Sequence, residues 1–330
     1  MKMKTEILKL LRETDGYVSG QQISGQFGVS RTAVWKVIRQ LQEDGYQVEA
    51  VRNKGYHIVD SPDVMTKEEL ASLMNTRWAG RNILYYDVTD STNLRIKQAG
   101  DEGAPHGTLA VADRQTAGRG RRGRTWESPA GSSIYMSILL RPEIAPNKAS
   151  MLTLVMALNV VEGIQECIGN DRDIQIKWPN DIIINGKKLA GILTEMSSQI
   201  DYINHVTVGV GINVNTTDFP EEIAQTATSL RIECGHTVKR APLIAAVMER
   251  LEENYETFLE TEDLSGLLDR YNALLVNCDR DVQIIGAKET YQAHAIGIDH
   301  TGELIVRRED GSIEKINAGE VSVRGVYGYV

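Results

Sequence analysis

Residues 118–126 read Gly118-Arg119-Gly120-Arg121-Arg122-Gly123-Arg124-Thr125-Trp126, four arginines within six residues, spaced by three glycines. In a chain of formal net charge −9, so dense a cationic stretch is a local device rather than a general basic character. Glycine lets a backbone approach a ligand closely, and each guanidinium offers a fork of donors matched to carboxylate and phosphate oxygens. A solvated arginine loop is the alternative that charge density alone leaves open. The stretch also matches G-x-G-x-x-G at Gly118, Gly120 and Gly123. That fingerprint marks a dinucleotide fold only between a strand and a helix. Residues 108–112 do read as a strand, but Ser128-Pro129-Ala130-Gly131 follows, and 133–140 reads as a second strand. The dinucleotide reading is rejected in favour of an anion-holding loop between two strands.

Working outward, 330 residues suffice for two or three domains with a sizeable core. The 42% hydrophobic and 25% charged content is that of a soluble globular protein. No apolar run reads as a membrane span, and the N-terminus lacks the apolar core of a signal peptide, so a cytoplasmic protein with no membrane partner is expected. Cys167, Cys234 and Cys278 are far apart and form no C-x-x-C, which argues against a disulfide framework or a zinc cluster. The six histidines show neither metal-ligand spacing nor a neighbouring nucleophile. Charge is uneven: residues 1–60 hold nine Lys or Arg against seven Asp or Glu, net +2, leaving −11 for the rest. That asymmetry hints at an N-terminal module facing nucleic acid.

Within that module, residues 7–11 form an apolar stripe, Ser19 caps a short helix broken at Gly28, and Ser30 caps a third helix ending near Gly45. The third helix shows Ser30, Arg31, Thr32, Lys36 and Arg39 on its start and outer face, residue types suited to phosphates and base edges. Strands at 46–52 and 56–59 around Asn53-Lys54-Gly55 complete a winged helix-turn-helix pattern. A small helical protein-interaction domain is the competing reading.

Residues 60–63 read as a linker, and Thr66-Lys67-Glu68-Glu69 as a capping box. In Asp90-Ser91-Thr92-Asn93 the polar groups either cap the next helix, the preferred reading, or hold a small polar ligand. Residues 149–168 form a helix too uniformly apolar to face water. Strands are expected on both sides of Pro179-Asn180-Asp181 and again from Lys187, joined by an Asn185-Gly186 turn. Residues 206–214, with Gly209, Gly211 and Asn213, add a strand with room for a close ligand. Two covering helices follow, then four short strands from 282 to 317 that read as a small barrel.

Taken together, Asp90-Ser91-Thr92-Asn93, Gln115 with residues 118–126, Lys177-Trp178-Pro179-Asn180-Asp181, Lys188-Leu189-Ala190-Gly191-Ile192 and Gly209-Val210-Gly211-Ile212-Asn213 closely resemble the biotin protein ligase family. With the winged module, the resemblance is to its bifunctional form, which also represses biotin genes. It implies an α+β chain of three domains. These are a winged helix-turn-helix over 1–62, a central α/β ligase domain with a mixed, class II synthetase-like sheet over 63–276, and an SH3-like small β-barrel over 277–330.

The implied reaction joins biotin to ATP, giving biotinyl-5'-AMP and pyrophosphate, then moves biotin to a lysine of the biotin carboxyl carrier protein of acetyl-CoA carboxylase or a related enzyme. Matched position by position, the resemblance assigns biotin to Ser91, Thr92, Asn93, Gln115, Arg119, Gly120, Arg121, Lys188 and Gly191. It assigns ATP to Arg121, Arg124, Trp126, Asn180, Asp181 and Asn213, and Mg²⁺ to Asn180 and Asp181. Lys188, Arg121 and Arg119 become the catalytic cations, Ser30, Arg31, Thr32, Lys36 and Arg39 face operator DNA, and a ligand-promoted homodimer is expected. Bringing a carboxylate onto a phosphate requires cations to screen two anions, and no nucleophilic side chain. A lipoate-type ligase and a metabolite-sensing regulator without ligase activity are the rival readings.

Overall fold

The computed structural model describes residues 2–286, 289–317 and 322–325. The chain forms two compact units, Met1–Met74 with Lys239–Pro242, and Asn75–Val238 with Leu243–Val330.

In the first unit, helices α1 (Lys2–Glu13), α2 (Gly20–Phe27) and α3 (Arg31–Glu43) precede a hairpin of β1 (Gln47–Val51) and β2 (Gly55–Asp60). Their apolar faces meet in one core that includes Ile7, Leu11, Ile23, Val34, Ile38 and Leu41. Ser19 forms a reciprocal capping box with Gln22, and Gly28 ends α2 in the left-handed region at φ 64°. The wing is locked back by paired bonds between Val18 and Tyr56, both 2.9 Å. Gly55 is indispensable there: φ is +120°, and a Cβ would stand 2.1 Å from the Val18 carbonyl oxygen.

Helix α4 (Lys67–Leu73) packs in this same unit. Thr66 Oγ1 does accept from Glu69 N at 3.3 Å, but the Glu69 carboxylate does not complete the capping box. It is buried, and accepts from Arg12 of α1 and Tyr46 OH, each at 2.6 Å. Losing one partner of such a pair leaves a stranded charge, at a cost of about 3–5 kcal/mol.

The second unit is built on a seven-stranded sheet in the order β3-β4-β5-β9-β8-β7-β6. Its strands are β3 (Ile83–Thr89), β4 (Leu109–Gln115), β5 (Ile134–Leu140), β6 (Ile174–Lys177), β7 (Asp181–Ile184), β8 (Lys187–Ser198) and β9 (Ile203–Ile212). β3 and β4 are parallel, joined through α5 (Thr92–Asp101), and every other pair is antiparallel. The sheet is therefore mixed, as expected.

Pleat alternation assigns its faces. Gly100 of α5 meets His205 of β9, which places α5 on the face of His205, Thr207, Gly209 and Gly211. On the other face, Thr153 of α6 (Met151–Ile168) bonds Thr194, which pairs with Val208. Residues 146–168 are long and apolar enough to cross a membrane by composition, contrary to the sequence reading. That stretch is 67% buried inside the unit, so packing explains its apolarity.

Helices α7 (Leu230–Cys234), α8 (Arg240–Thr261) and α9 (Leu268–Leu274) follow. Trp178 is 1% exposed and donates from Nε1 to the Gly302 carbonyl, so it packs in the core. The C-terminal strands are β10 (Arg280–Ile285), β11 (Thr290–Ile298), β12 (Leu304–Arg307), β13 (Ile313–Ile316) and β14 (Ser322–Gly325). They form one five-stranded antiparallel sheet, β13-β12-β11-β10-β14, one strand more than the four expected from the sequence.

Candidate functional site

The α5 face of the large sheet is cleared by glycines. Gly191 and Gly211 are cross-strand partners on β8 and β9, and Gly209 lies one pleat repeat away. A Cβ at Gly191 or Gly211 would stand 2.9 or 2.6 Å from the Trp126 indole, and one at Gly209 1.9 Å from Asn93 Oδ1. Small residues here admit an aromatic ring and an amide directly against the sheet.

Two cavities open above this floor. The smaller, about 60 Å³, is lined by every residue expected for biotin: Ser91, Thr92, Asn93, Gln115, Arg119, Gly120, Arg121, Lys188 and Gly191. Gly209, read in the sequence as leaving room for a ligand, also lines it, as do Met136 and Leu193, positions that carried no polar signal. The larger, about 940 Å³, is lined by every residue expected for ATP: Arg121, Arg124, Trp126, Asn180, Asp181 and Asn213. Asp218, Phe219 and Ile223 add a wall to it that the sequence reading did not single out. Gly120, Arg121, Trp126, Asn180 and Lys188 line both cavities.

At the start of α5, Ser91 makes no side-chain capping bond, against the preferred sequence reading. Gln115 at the end of β4 does that work, its Oε1 accepting from Thr92 N at 2.8 Å while its Nε2 donates to Ser128 Oγ at 3.0 Å. The Ser91 hydroxyl is thereby left on the cavity wall. Behind it, buried Ser137 contacts Thr92 Oγ1 at 2.8 Å and Asn93 Oδ1 at 2.6 Å. Asn93 Nδ2 donates to Glu195 Oε2 at 2.9 Å, and Glu195 Oε1 holds Arg119 Nη1 at 3.1 Å. Ser137 and Glu195 escaped the sequence reading because each lies inside an otherwise ordinary strand.

The arginine loop folds back on itself. Gly120 N donates to the Arg124 carbonyl at 2.7 Å, Trp126 N to the Gly118 carbonyl at 2.9 Å, and Arg122 takes the left-handed conformation at φ 57°. This turn points Arg119 at Glu195 and Arg121 at Asn180 Oδ1, 2.8 Å away, and Arg124 lines only the larger cavity. Burial pulls the Arg121 pKa below its ordinary value, Asp181 opposes this, and neighbouring Arg122 adds to it.

On the facing hairpin, Asp181 Oδ1 holds Lys188 Nζ at 2.7 Å, and the ammonium stands 5.4 Å from the Trp126 ring centroid. Asn180 is pinned by donating to the Ile192 carbonyl at 3.1 Å. Trp126 Nε1 is buried without a hydrogen-bond partner. Chemically, the arrangement sets two cations, Arg121 and Lys188, on the wall shared by two cavities, with Arg119 on the smaller. It can hold two anions side by side.

No described group of three or more His, Cys, Asp or Glu could hold a resident metal. Asp181 and Asn180 offer one carboxylate and one amide on the larger cavity, a donor set that suits Mg²⁺ arriving with phosphates rather than a caged ion.

In the first unit, Ser30 Oγ accepts from Ala33 N at 3.1 Å, capping α3, and Arg31 Nε donates to Gln21 at 2.9 Å. Thr32, Lys36 and Arg39 are exposed along the same helix.

Comparison with known proteins identifies the family. The family models for the Biotin/lipoate A/B protein ligase family, an HTH domain and the Biotin protein ligase C terminal domain match residues 85–213, 4–57 and 278–324. The Bifunctional ligase/repressor BirA of Bacillus subtilis (strain 168) is 38% identical, with 97% of this chain and 98% of that protein covered. That of Escherichia coli (strain K12) is 33% identical over 98% and 99%. Among solved structures, a biotin protein ligase from Aquifex aeolicus in complex with biotin and ATP superposes with a TM-score of 0.65 at 31% identity. It covers 74% of this chain and 99% of its own. At these identities over nearly its whole length, the chain belongs to the biotin protein ligase family, among the bifunctional ligase/repressors.

Proposed function

We propose that this chain is an ATP-dependent biotin protein ligase and a biotin-responsive repressor, with biotin in the smaller cavity and ATP in the larger. The observation that carries the site assignment is the shared wall: Arg121 and Lys188 line both cavities. A carboxylate in one and an α-phosphate in the other would meet there.

The biotin carboxylate oxygen forms a bond to the α-phosphorus while the bond to pyrophosphate breaks. Lys188 and Arg121 offset the charge that moves onto the leaving oxygens. Asp181 keeps Lys188 aimed, and Glu195 keeps Arg119 and Asn93 in place around the smaller cavity. Asn180 and Asp181 would hold Mg²⁺ arriving with ATP, and that ion would supply further charge neutralisation. In the second step a carrier lysine amine attacks the biotinyl carbonyl, an amide forms, and AMP leaves. Neither step needs a side-chain nucleophile.

The acceptor is the biotin carboxyl carrier protein of acetyl-CoA carboxylase and of similar biotin-dependent enzymes, and the place of action is the cytoplasm. The functional regions are a DNA-binding module over 1–62, a catalytic region over 63–276 and a C-terminal region over 277–330. A module of net +2 binds DNA weakly at physiological salt. Repression therefore uses a homodimer favoured by biotinyl-5'-AMP, which holds two modules on a palindromic operator. Linkage then requires operator DNA to tighten the adenylate complex by the same factor as the adenylate tightens DNA binding. Gel-shift titration of the free and adenylate-bound protein, with sedimentation to count subunits, tests this. Equal operator affinity in both states leaves a ligase with no biotin switch.

A further inference from the structure

The outer face of α3 carries one residue that neither phosphate binding nor the core explains. Val34, Val37, Ile38 and Leu41 face inward, and Arg31, Thr32, Trp35, Lys36 and Arg39 share the opposite side by helical spacing. Trp35 is 53% exposed on that cationic face, with the Arg39 guanidinium 6.0 Å from its ring centroid. No acidic residue occurs in α3 before Glu43. A partner that covered this ring would gain the free energy of burying its apolar surface, and the cations around it select an anionic one.

Resting on the DNA-binding reading above, we propose that Trp35 is a sequence-reading residue that packs its indole on the C5-methyl of thymine in the major groove. Three features point to this partner. The surrounding charge is complementary to a phosphate backbone. Trp35 lies on the second turn of α3, flanked by hydroxyl and cationic residues that suit base edges and phosphates. And the thymine methyl is the apolar group that base pairs present in that groove. Arg39 stands 6.0 Å from the ring centroid, within reach of a weak cation–π contact, and the ring stays half exposed beside it.

The test uses the full chain with biotin, ATP and Mg²⁺. Duplexes are enriched from a randomised pool, and the best is remade with each thymine replaced singly by deoxyuridine, which removes only the methyl. Fluorescence anisotropy at one fixed salt concentration measures affinity. The expected result is at least one position where deoxyuridine weakens wild-type binding about fourfold, the worth of one buried methyl. Trp35→Ala should bind the thymine and deoxyuridine forms equally, and Trp35→Phe should keep most of the discrimination. Because the ring is half exposed, the variants should fold, which an unchanged circular dichroism spectrum and thermal unfolding profile of the full chain confirm. A wild-type protein indifferent to every methyl, or a Trp35→Ala protein with the same methyl preference, overturns the inference and leaves DNA binding intact. If no duplex is enriched over random DNA, the DNA-binding reading fails, and this inference with it.

Discussion

Substituting Gly209→Ala tests how the floor of the smaller cavity is built. The added Cβ would stand 1.9 Å from Asn93 Oδ1, so the amide has to recede by roughly 1.5 Å to reach van der Waals distance. No left-handed backbone angle occurs at Gly209, so the cost comes from this contact rather than from φ. Moving Asn93 breaks its bonds to Ser137 (2.6 Å) and Glu195 (2.9 Å), and Glu195 also positions Arg119. Overpacking together with stranded polar groups costs about 2–4 kcal/mol. If about 2 kcal/mol of this appears in ligand binding, biotin affinity falls roughly thirtyfold. The decisive assay is a double-mutant cycle read by calorimetric titration with biotin, with urea unfolding as a check on folding. In an Asn93→Ala background the clash partner is gone, and Gly209→Ala should then cost less than about 0.5 kcal/mol, a coupling on the order of 2 kcal/mol. An equal cost in both backgrounds would refute the reasoning, because the methyl would then be acting elsewhere.

Other outcomes follow from the same geometry. Lys188→Ala should mainly slow adenylate formation, and Arg121→Ala should mainly speed escape of the adenylate into solution. Rates of the two processes, followed separately, check this, and identical losses confined to binding in both variants would contradict it. Trp126→Ala should weaken ATP more than biotin in calorimetric titrations, and a biotin-selective defect would assign the ring to the smaller cavity alone. Glu252→Gln should lower stability near neutral pH by about 1–2 kcal/mol. Burial alone would raise the Glu252 pKa, but the Arg77, Trp78 and Ala79 backbone N–H groups outweigh it and hold the carboxyl below its ordinary 4.5. The stability this supplies is complete above the unfolded value and is lost as pH falls through the lower folded value. Urea midpoints measured from pH 7 down to 3 should therefore converge for wild type and variant, and parallel curves would count against the ion's role.

The linear motifs were legible because each concentrates its chemistry in a few adjacent residues. The arginine loop, the Lys177-Trp178-Pro179-Asn180-Asp181 break and the Gly209 to Asn213 strand could be read in order, and α3 showed its cap and its cationic side at once. What sequence could not show were partnerships made across the sheet. Glu69 looked like half of a capping box, yet long-range packing claims its carboxylate for Arg12 and Tyr46. Ser91 looked like a cap, but Gln115, 24 residues on, takes the backbone bond and leaves the hydroxyl on the cavity wall. Ser137 and Glu195 gave no local signal, because their importance arises only when β5 and β8 flank β9. Residues 146–168 show the reverse failure: apolar composition alone does not distinguish a core helix from a membrane span.

The central claim is biotin transfer by way of an adenylate, and one incubation tests it most directly. The purified chain, ATP, Mg²⁺, biotin and a biotin carboxyl carrier domain are combined, and carrier mass is followed alongside pyrophosphate release. The expected result is a carrier heavier by one biotinyl group on a single lysine, one pyrophosphate released per carrier modified, and no gain in mass when ATP is omitted. A carrier left unmodified while lipoate is attached to its own carrier domain, or unmodified with either acid, would contradict the account.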